Sequence, residues 1–144
     1  MVSNKCEYAL RAVYELARQR GGEPRKSQEI ASAQGIPPRF LEIILVELKN
    51  AGFVLAKRGS GGGYVLARPA REITVGQVIH SFQGEPDPQT QTDYPGKHAG
   101  DYAFSGLWER VQSAVSEVYD RTTFEDLLQE EILGMCAGAP DYVI

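Results

Sequence analysis

The run Arg58-Gly59-Ser60-Gly61-Gly62-Gly63-Tyr64 joins a cation to a string of glycines between two short apolar segments, Phe53-Val54-Leu55-Ala56 and Tyr64-Val65-Leu66-Ala67. Glycine admits positive φ and close backbone approach, so strand, turn and strand read as a hairpin with an exposed tip. A tip that carries Arg58 could neutralise phosphate, or place an arginine in a narrow minor groove where the potential favours it. An ordinary flexible hairpin is the alternative. The run is neither a GxGxxG entering a helix nor a phosphate-binding loop ending in Gly-Lys-Ser/Thr, so nucleotide binding is the weaker reading.

A second group of reactive side chains follows Pro37-Pro38, where a helix is expected to begin: Arg39, Phe40, Glu42 and Ile43. On a helix that enters the major groove, Arg39 could pair with guanine and Glu42 could accept from a cytosine amino group. Phe40 fits the core better than a thymine methyl, and both remain open. Arg25, Lys26, Lys49, Lys57 and Arg58 offer phosphate neutralisation, with Arg68 and Arg71 farther out, and backbone amides at a helix start at Ser27 could hold a phosphate. The DNA-facing set expected is therefore Lys26, Ser27, Arg39, Phe40, Glu42, Lys49, Lys57, Arg58, Gly59, Ser60, Gly61, Gly62 and Tyr64. Other chemistry is sparse. Cys6 near a helix start could have a lowered thiol pKa and serve as a redox sensor, or be a small half-buried residue. His80 sits beside apolar helix positions, and His98 is a lone histidine in a loop. No serine–histidine–carboxylate grouping, paired metal ligands or phosphate loop has credible spacing, so no enzyme, metal or cofactor is expected.

The elements that must position these groups follow from periodicity. Tyr8, Ala9, Ala12, Val13, Leu16 and Ala17 share one stripe of a helix over 3–19, ended by Gly21-Gly22. Ser27 can cap a short helix carrying Ile30 and Ala31, stopped at Gly35. A longer helix then carries Phe40, Leu41, Ile44, Leu45 and Leu48 and closes at Gly52. Two helices joined by a Gly-containing turn and followed by a hairpin make a winged helix-turn-helix. Thr74 through Gln77 is a capping-box pattern opening another short helix. Residues 84–103 lose apolar periodicity and read as a loop. Beyond it Phe104, Leu107, Val111, Ala114 and Val118 repeat at heptad-like spacing beside Trp108 and Val115. That seam wants a partner helix, either from this chain or, in the reading preferred here, from a second copy. Thr123 caps a last helix with Phe124, Leu127, Leu128 and Ile132.

The fold class expected is mainly α: a winged helix-turn-helix over 1–83 with a two-stranded wing, the loop 84–103, a long C-terminal dimerisation helix and a final short helix over 104–133, and a weakly structured tail over 134–144. Charge divides in the same way. Residues 1–83 hold 12 Lys/Arg against 7 Asp/Glu, and residues 84–144 hold 3 against 12, within a net charge of −4. A basic front and an acidic rear suit a nucleic-acid module joined to a part with another task. No apolar run approaches the ~18 residues of a membrane span, no secretory leader is visible, and two distant cysteines make no disulfide framework. A cytoplasmic protein without membrane contact is expected.

Tyr8-Ala9-Leu10-Arg11-Ala12, Glu29-Ile30-Ala31, Gly35-Ile36-Pro37, Phe40-Leu41-Glu42, Leu48-Lys49-Asn50-Ala51-Gly52 and Arg58-Gly59 through Tyr64 together resemble one bacterial regulator family. It contains the iron–sulfur-assembly regulator, the nitric-oxide-sensing repressor and the cysteine-metabolism repressor. The resemblance is close over 1–84 and resumes at Leu107-Trp108 and Thr122-Thr123-Phe124-Glu125-Asp126-Leu127. It implies a homodimer whose recognition helices and wings hold a pseudo-palindromic operator in double-stranded DNA, with the long C-terminal helix as the dimer element. Better-known members carry three cluster-binding cysteines before that helix. Counted back from Trp108 without gaps, those positions fall at Thr90, Gly96 and Tyr102, none of which supplies a thiolate. The position of a histidine ligand in some members falls at Ser105, and that of an N-terminal carboxylate ligand at Glu7. The resemblance therefore implies a regulator, in the repressor sense, without a conventional cluster, its loop serving an unknown small-molecule or protein effector or none. A winged-helix module that docks a partner enzyme is the competing function.

Overall fold

The computed structural model describes residues 2–19, 22–84 and 96–138. Among them are six helices and one two-stranded sheet: α1 Asn4–Arg18, α2 Ser27–Gln34, α3 Pro38–Asn50, β1 Val54–Lys57, β2 Gly63–Leu66, α4 Val75–Gln83, α5 Asp101–Arg121 and α6 Phe124–Gly138. This is the mainly helical winged helix-turn-helix that periodicity predicts. The core lies where α1, α3 and α4 meet, with Ala9, Ala12, Val13, Leu41, Ile44, Leu45, Leu48 and Val78 fully buried. One stripe of each helix supplies it, at i, i+3, i+4 spacing.

Local rules account for most of the boundaries. Ser3 caps α1 by accepting from the Cys6 N–H. Pro38 occupies the first position of α3, where its missing N–H costs nothing. Thr74 and Gln77 form a reciprocal capping box on α4, and Thr123 and Asp126 form the same device on α6. Ser27 differs from expectation: it is the first helical residue of α2, and Lys26 takes the N-cap place, its N–H donating to the Glu29 carboxylate.

Two expected boundaries move. Helix α5 begins at Asp101 rather than Phe104, because Gly100 turns the chain and the Asp101 carboxylate accepts from the His98 N–H at 2.8 Å. Of the loop 84–103, residues 85–95, including Thr90, lie outside the described residues. Helix α6 continues to Gly138, so residues 134–138 are helical; residues 139–144 lie outside the described residues, as does Gly21. The turn between α5 and α6 is tied to the segment before α4. Val75 donates to the Thr122 carbonyl at 2.8 Å and Phe124 to that of Ile73 at 3.1 Å, while Phe124 is fully buried. These bonds set where the long helix leaves the core.

Candidate nucleic-acid interface

The wing is built from both of its strands and from a segment that precedes the helix pair. β1 and β2 are antiparallel, running from Val54 opposite Leu66 to Lys57 opposite Gly63. On the other side of β2, Arg25 and Tyr64 exchange both backbone bonds, at 2.9 and 2.7 Å. Gly63, at φ 149°, passes so close that a Cβ there would lie 2.5 Å from the Arg25 carbonyl oxygen. Any side chain would push β2 away from the entry to α2. At the tip, Gly62 donates to the Gly59 carbonyl at 3.0 Å, and a Cβ on Gly62 would strike the Lys57 carbonyl oxygen. The glycines thus fold the tip back on itself, which leaves Lys57, Arg58, Gly59, Ser60 and Gly61 exposed, whereas Gly62 is buried by the fold-back and leaves the set expected to face DNA. Tyr64 is half-buried at the base of the wing, beside the Lys26 end of α2.

On α3, Arg39, Glu42 and Lys49 are exposed, opposite the buried stripe of Leu41, Ile44, Leu45 and Leu48. Phe40 leaves the set expected to face DNA. It is half-buried and its ring meets Tyr8 of α1 edge-on, 5.6 Å between centroids, so its apolar surface is spent within the chain. Ile43 and Val46 share the outer face of α3, with Ile43 55% and Val46 53% exposed. Val46 was not singled out by the sequence; its i+3 spacing from Ile43 was the available signal.

The cations separate into two kinds. Lys26, Lys49, Lys57, Arg58 and Arg71 are exposed. Arg25 is half-buried and committed within the chain, contrary to its expected place among phosphate contacts. Its guanidinium donates at 3.1 Å to Glu15, which is only 3% exposed and also accepts from Arg18 at 2.9 Å and Gln34 at 2.8 Å. A buried carboxylate needs such partners, since desolvating it alone would be costly. The cluster joins α1, the wing base and the end of α2. Arg68 lies over the Phe53 ring, 5.5 Å from its centroid, as a cation–π contact.

Cys6 does not have the environment of a reactive thiol. Its side chain is fully buried, and desolvation together with the Glu7 carboxylate raises its pKa from 9.0 to about 11. Position near a helix start would lower the value; removal from water outweighs it. The expectation of a redox-active Cys6 is thereby corrected. Glu7 itself pairs with Arg11 one turn on, at 3.0 Å. Among the described residues no three His, Cys, Asp or Glu side chains are grouped to hold a metal ion. Gly96 is at a turn beneath the Tyr102 ring, and Tyr102 and Ser105 lie on the first turns of α5. His98 is exposed beside Asp101, and His80 is exposed on α4.

The expected dimerisation residues share one property. Phe104, Leu107, Trp108, Val111, Ala114, Val115 and Val118 are all exposed, and none of the 21 residues of α5 is buried. Phe104 and Trp108 stack on each other at 6.4 Å. Within the chain α5 packs on α4 near its C-terminal end, where Asp120 lies against Gly76 so closely that a Cβ on the glycine would strike the Asp120 carboxylate. Among the described residues no helix is long and apolar enough to cross a membrane.

Comparison with known proteins agrees with this architecture. A family profile described as "Rrf2: Iron-dependent Transcriptional regulator" matches residues 2–130. The HTH-type transcriptional regulator CymR of Bacillus subtilis is 36% identical over 128 residues, covering 88% of each chain. The HTH-type transcriptional regulator IscR of Cereibacter sphaeroides is 33% identical over 145 residues, covering 96% of this chain and 93% of its own. Among solved structures, that of CymR, the global cysteine regulator of B. subtilis, superposes with a TM-score of 0.79 at 35% identity, covering 90% of this chain and 97% of the other. That of T. potens IscR gives 0.76 at 33% identity, covering 91% and 88%.

Proposed function

The chain belongs to the Rrf2 family of DNA-binding transcriptional regulators, and from that premise we propose that it acts as a homodimeric repressor on a pseudo-palindromic operator. The observation that carries the dimer is the uncovered apolar row of α5. A helix of 21 residues, about 31 Å long, with Leu107, Val111, Val115 and Val118 facing water is stable when a second copy covers it. Two-fold symmetry then repeats each recognition helix and wing, which is why the operator is pseudo-palindromic.

In this reading α3 lies in the major groove. Arg39 takes guanine and Glu42 a cytosine amino group, while Lys26, Ser27 and Lys49 hold the flanking phosphates. The wing, with Lys57, Arg58 and the tip Gly59 to Gly61, lies on the adjacent minor groove, and Arg58 is inserted there. Arg25 takes no part; it holds the wing base.

The family's description is iron-dependent, and the residues present do not fit a thiolate-held cluster. The chain has two cysteines: Cys6 is buried in the core of α1, and Cys136 is exposed near the far end of α6. Gly96, Tyr102 and Ser105 offer no thiolate or imidazole in their place. The regulating signal in this reading is a small molecule or protein effector acting without a cluster.

The test is selection of duplexes from the host genome by the purified protein, followed by titration over a range of salt. The expected result is a two-fold-symmetric site whose affinity falls steeply with salt, because bound phosphates release counterions. Retention of no DNA, with recovery of a protein partner instead, would sink the operator reading.

A further inference from the structure

The outer face of α3 carries an apolar pair that nothing among the described residues covers. Ile43 is 55% and Val46 53% exposed, among the larger apolar exposures of the N-terminal unit. They lie three residues apart, and Ile43 follows Arg39 by four, so the three form one stripe on the side opposite Leu41, Ile44, Leu45 and Leu48. Glu42 stands beside them, and exposed cations, Arg39 and Lys49, bound the stripe at its two ends.

We propose that Ile43 and Val46 read the C5-methyl groups of thymines, so that each half-site carries one or two thymines recognised through their methyls. The inference rests on the placing of α3 in the major groove. There, the thymine methyl is the apolar feature that base edges present, and an apolar side chain is its natural counterpart. Both residues are β-branched and therefore stiff at χ1, so holding them against a base costs little rotamer freedom. The occupant is set by charge. A stripe bounded by Arg39 and Lys49 suits a polyanion, and Glu42 within it requires a donor such as a base amino group rather than a phosphate. Phe40, the aromatic that could have met a thymine, is engaged by Tyr8 and does not compete for the role.

The experiment uses the full-length protein and a duplex selected by it from a random-sequence library. Each thymine of both half-sites is replaced singly by deoxyuridine, which lacks only the C5 methyl. At one or two positions per half-site the affinity should fall about fourfold, the factor that burying one methyl-sized group corresponds to. The same positions should become indifferent to uridine in Ile43→Ala or Val46→Ala, each variant silencing its own position, while the salt dependence stays that of the parent protein. Both side chains are solvent-facing, and an unchanged thermal midpoint confirms that the variants fold. Tight binding with no uridine-sensitive position overturns the inference and leaves the operator reading standing. So does a uridine penalty that persists in the double variant. Retention of no duplex at all removes the DNA-binding placement of α3 and the inference with it.

Discussion

Helices α3 and α5 each carry an apolar row at helical spacing, yet the chain treats them oppositely. In α3 the row of Leu41, Ile44, Leu45 and Leu48 is sealed against α1 and β1, and the remaining face is presented outward with its charges. In α5 the row of Phe104, Leu107, Val111, Val115 and Val118 stays in water along the whole helix. A row closed within the chain makes a rigid platform for side chains on its other face. A row left open makes an association surface. In the reading proposed above, the first kind serves DNA recognition and the second pairs two copies.

The comparison breaks most clearly at α5. Replacing Leu107 and Val111 together by aspartate should yield a monomer in sedimentation and lower operator affinity by about 10²–10⁴, the gain that linking two binding events supplies. A dimer of unchanged strength would show that the open row has another purpose. Next in size, Leu45→Ala should cost about 2–5 kcal/mol in chemical denaturation at every protein concentration, through the cavity it leaves. Val115→Ala should instead lower the midpoint by an amount that depends on protein concentration, since its row is covered only in the proposed dimer.

A smaller effect separates the two kinds of cation. Glu15→Gln should lose about 1.5–3 kcal/mol of stability, because Arg25 and Arg18 then lose the carboxylate they share and Arg25 keeps only Glu29, 3.7 Å away. Arg58→Ala should leave the melting temperature nearly unchanged and weaken operator binding by about 1–3 kcal/mol. If Arg58→Ala altered stability and not binding, the wing would have no claim on DNA. The smallest effect concerns the thiols. Iodoacetamide at pH 8 should modify exposed Cys136 and spare Cys6 until denaturant is added, as read by mass spectrometry. The Cys6 thiol stays protonated to a higher pH when folded, with its pKa raised to about 11 from 9.0. Its contribution to stability is therefore intact below pH 9 and is lost as pH rises from there towards 11.

Much of this was legible in the residues. The capping boxes at Thr74 and Thr123, the stop at Gly35, Pro38 at the start of α3 and the strand–glycine–strand of the wing depend on neighbours within a few positions, and those signals survive into the fold. The open seam of α5 was legible too, because too little core remained elsewhere to cover it. Errors arose where distant segments meet. Arg25 looked like any surface cation until Glu15, ten residues before it, accepted its guanidinium, with Gln34 donating to the same carboxylate. Phe40 looked available to DNA until Tyr8 arrived from another helix. Cys6 looked activated because its helix start is visible in sequence and its burial is not. Val46 escaped notice because an exposed valine at a recognition face is distinguishable from a core valine only once the buried stripe is located.

Periodicity, caps and glycine placement therefore determined, without coordinates, a winged helix-turn-helix followed by a long unpartnered helix. These are interactions among residues close in the chain, or averages over one helix face. Which cations remain free, which thiol is inert and which apolar side chains of α3 look outward were decided by tertiary packing alone. Burial and desolvation depend on what comes from elsewhere in the chain to exclude water. Arg58 stays exposed and Arg25 does not because Glu15 lies beneath the base of the wing and nothing among the described residues covers Arg58.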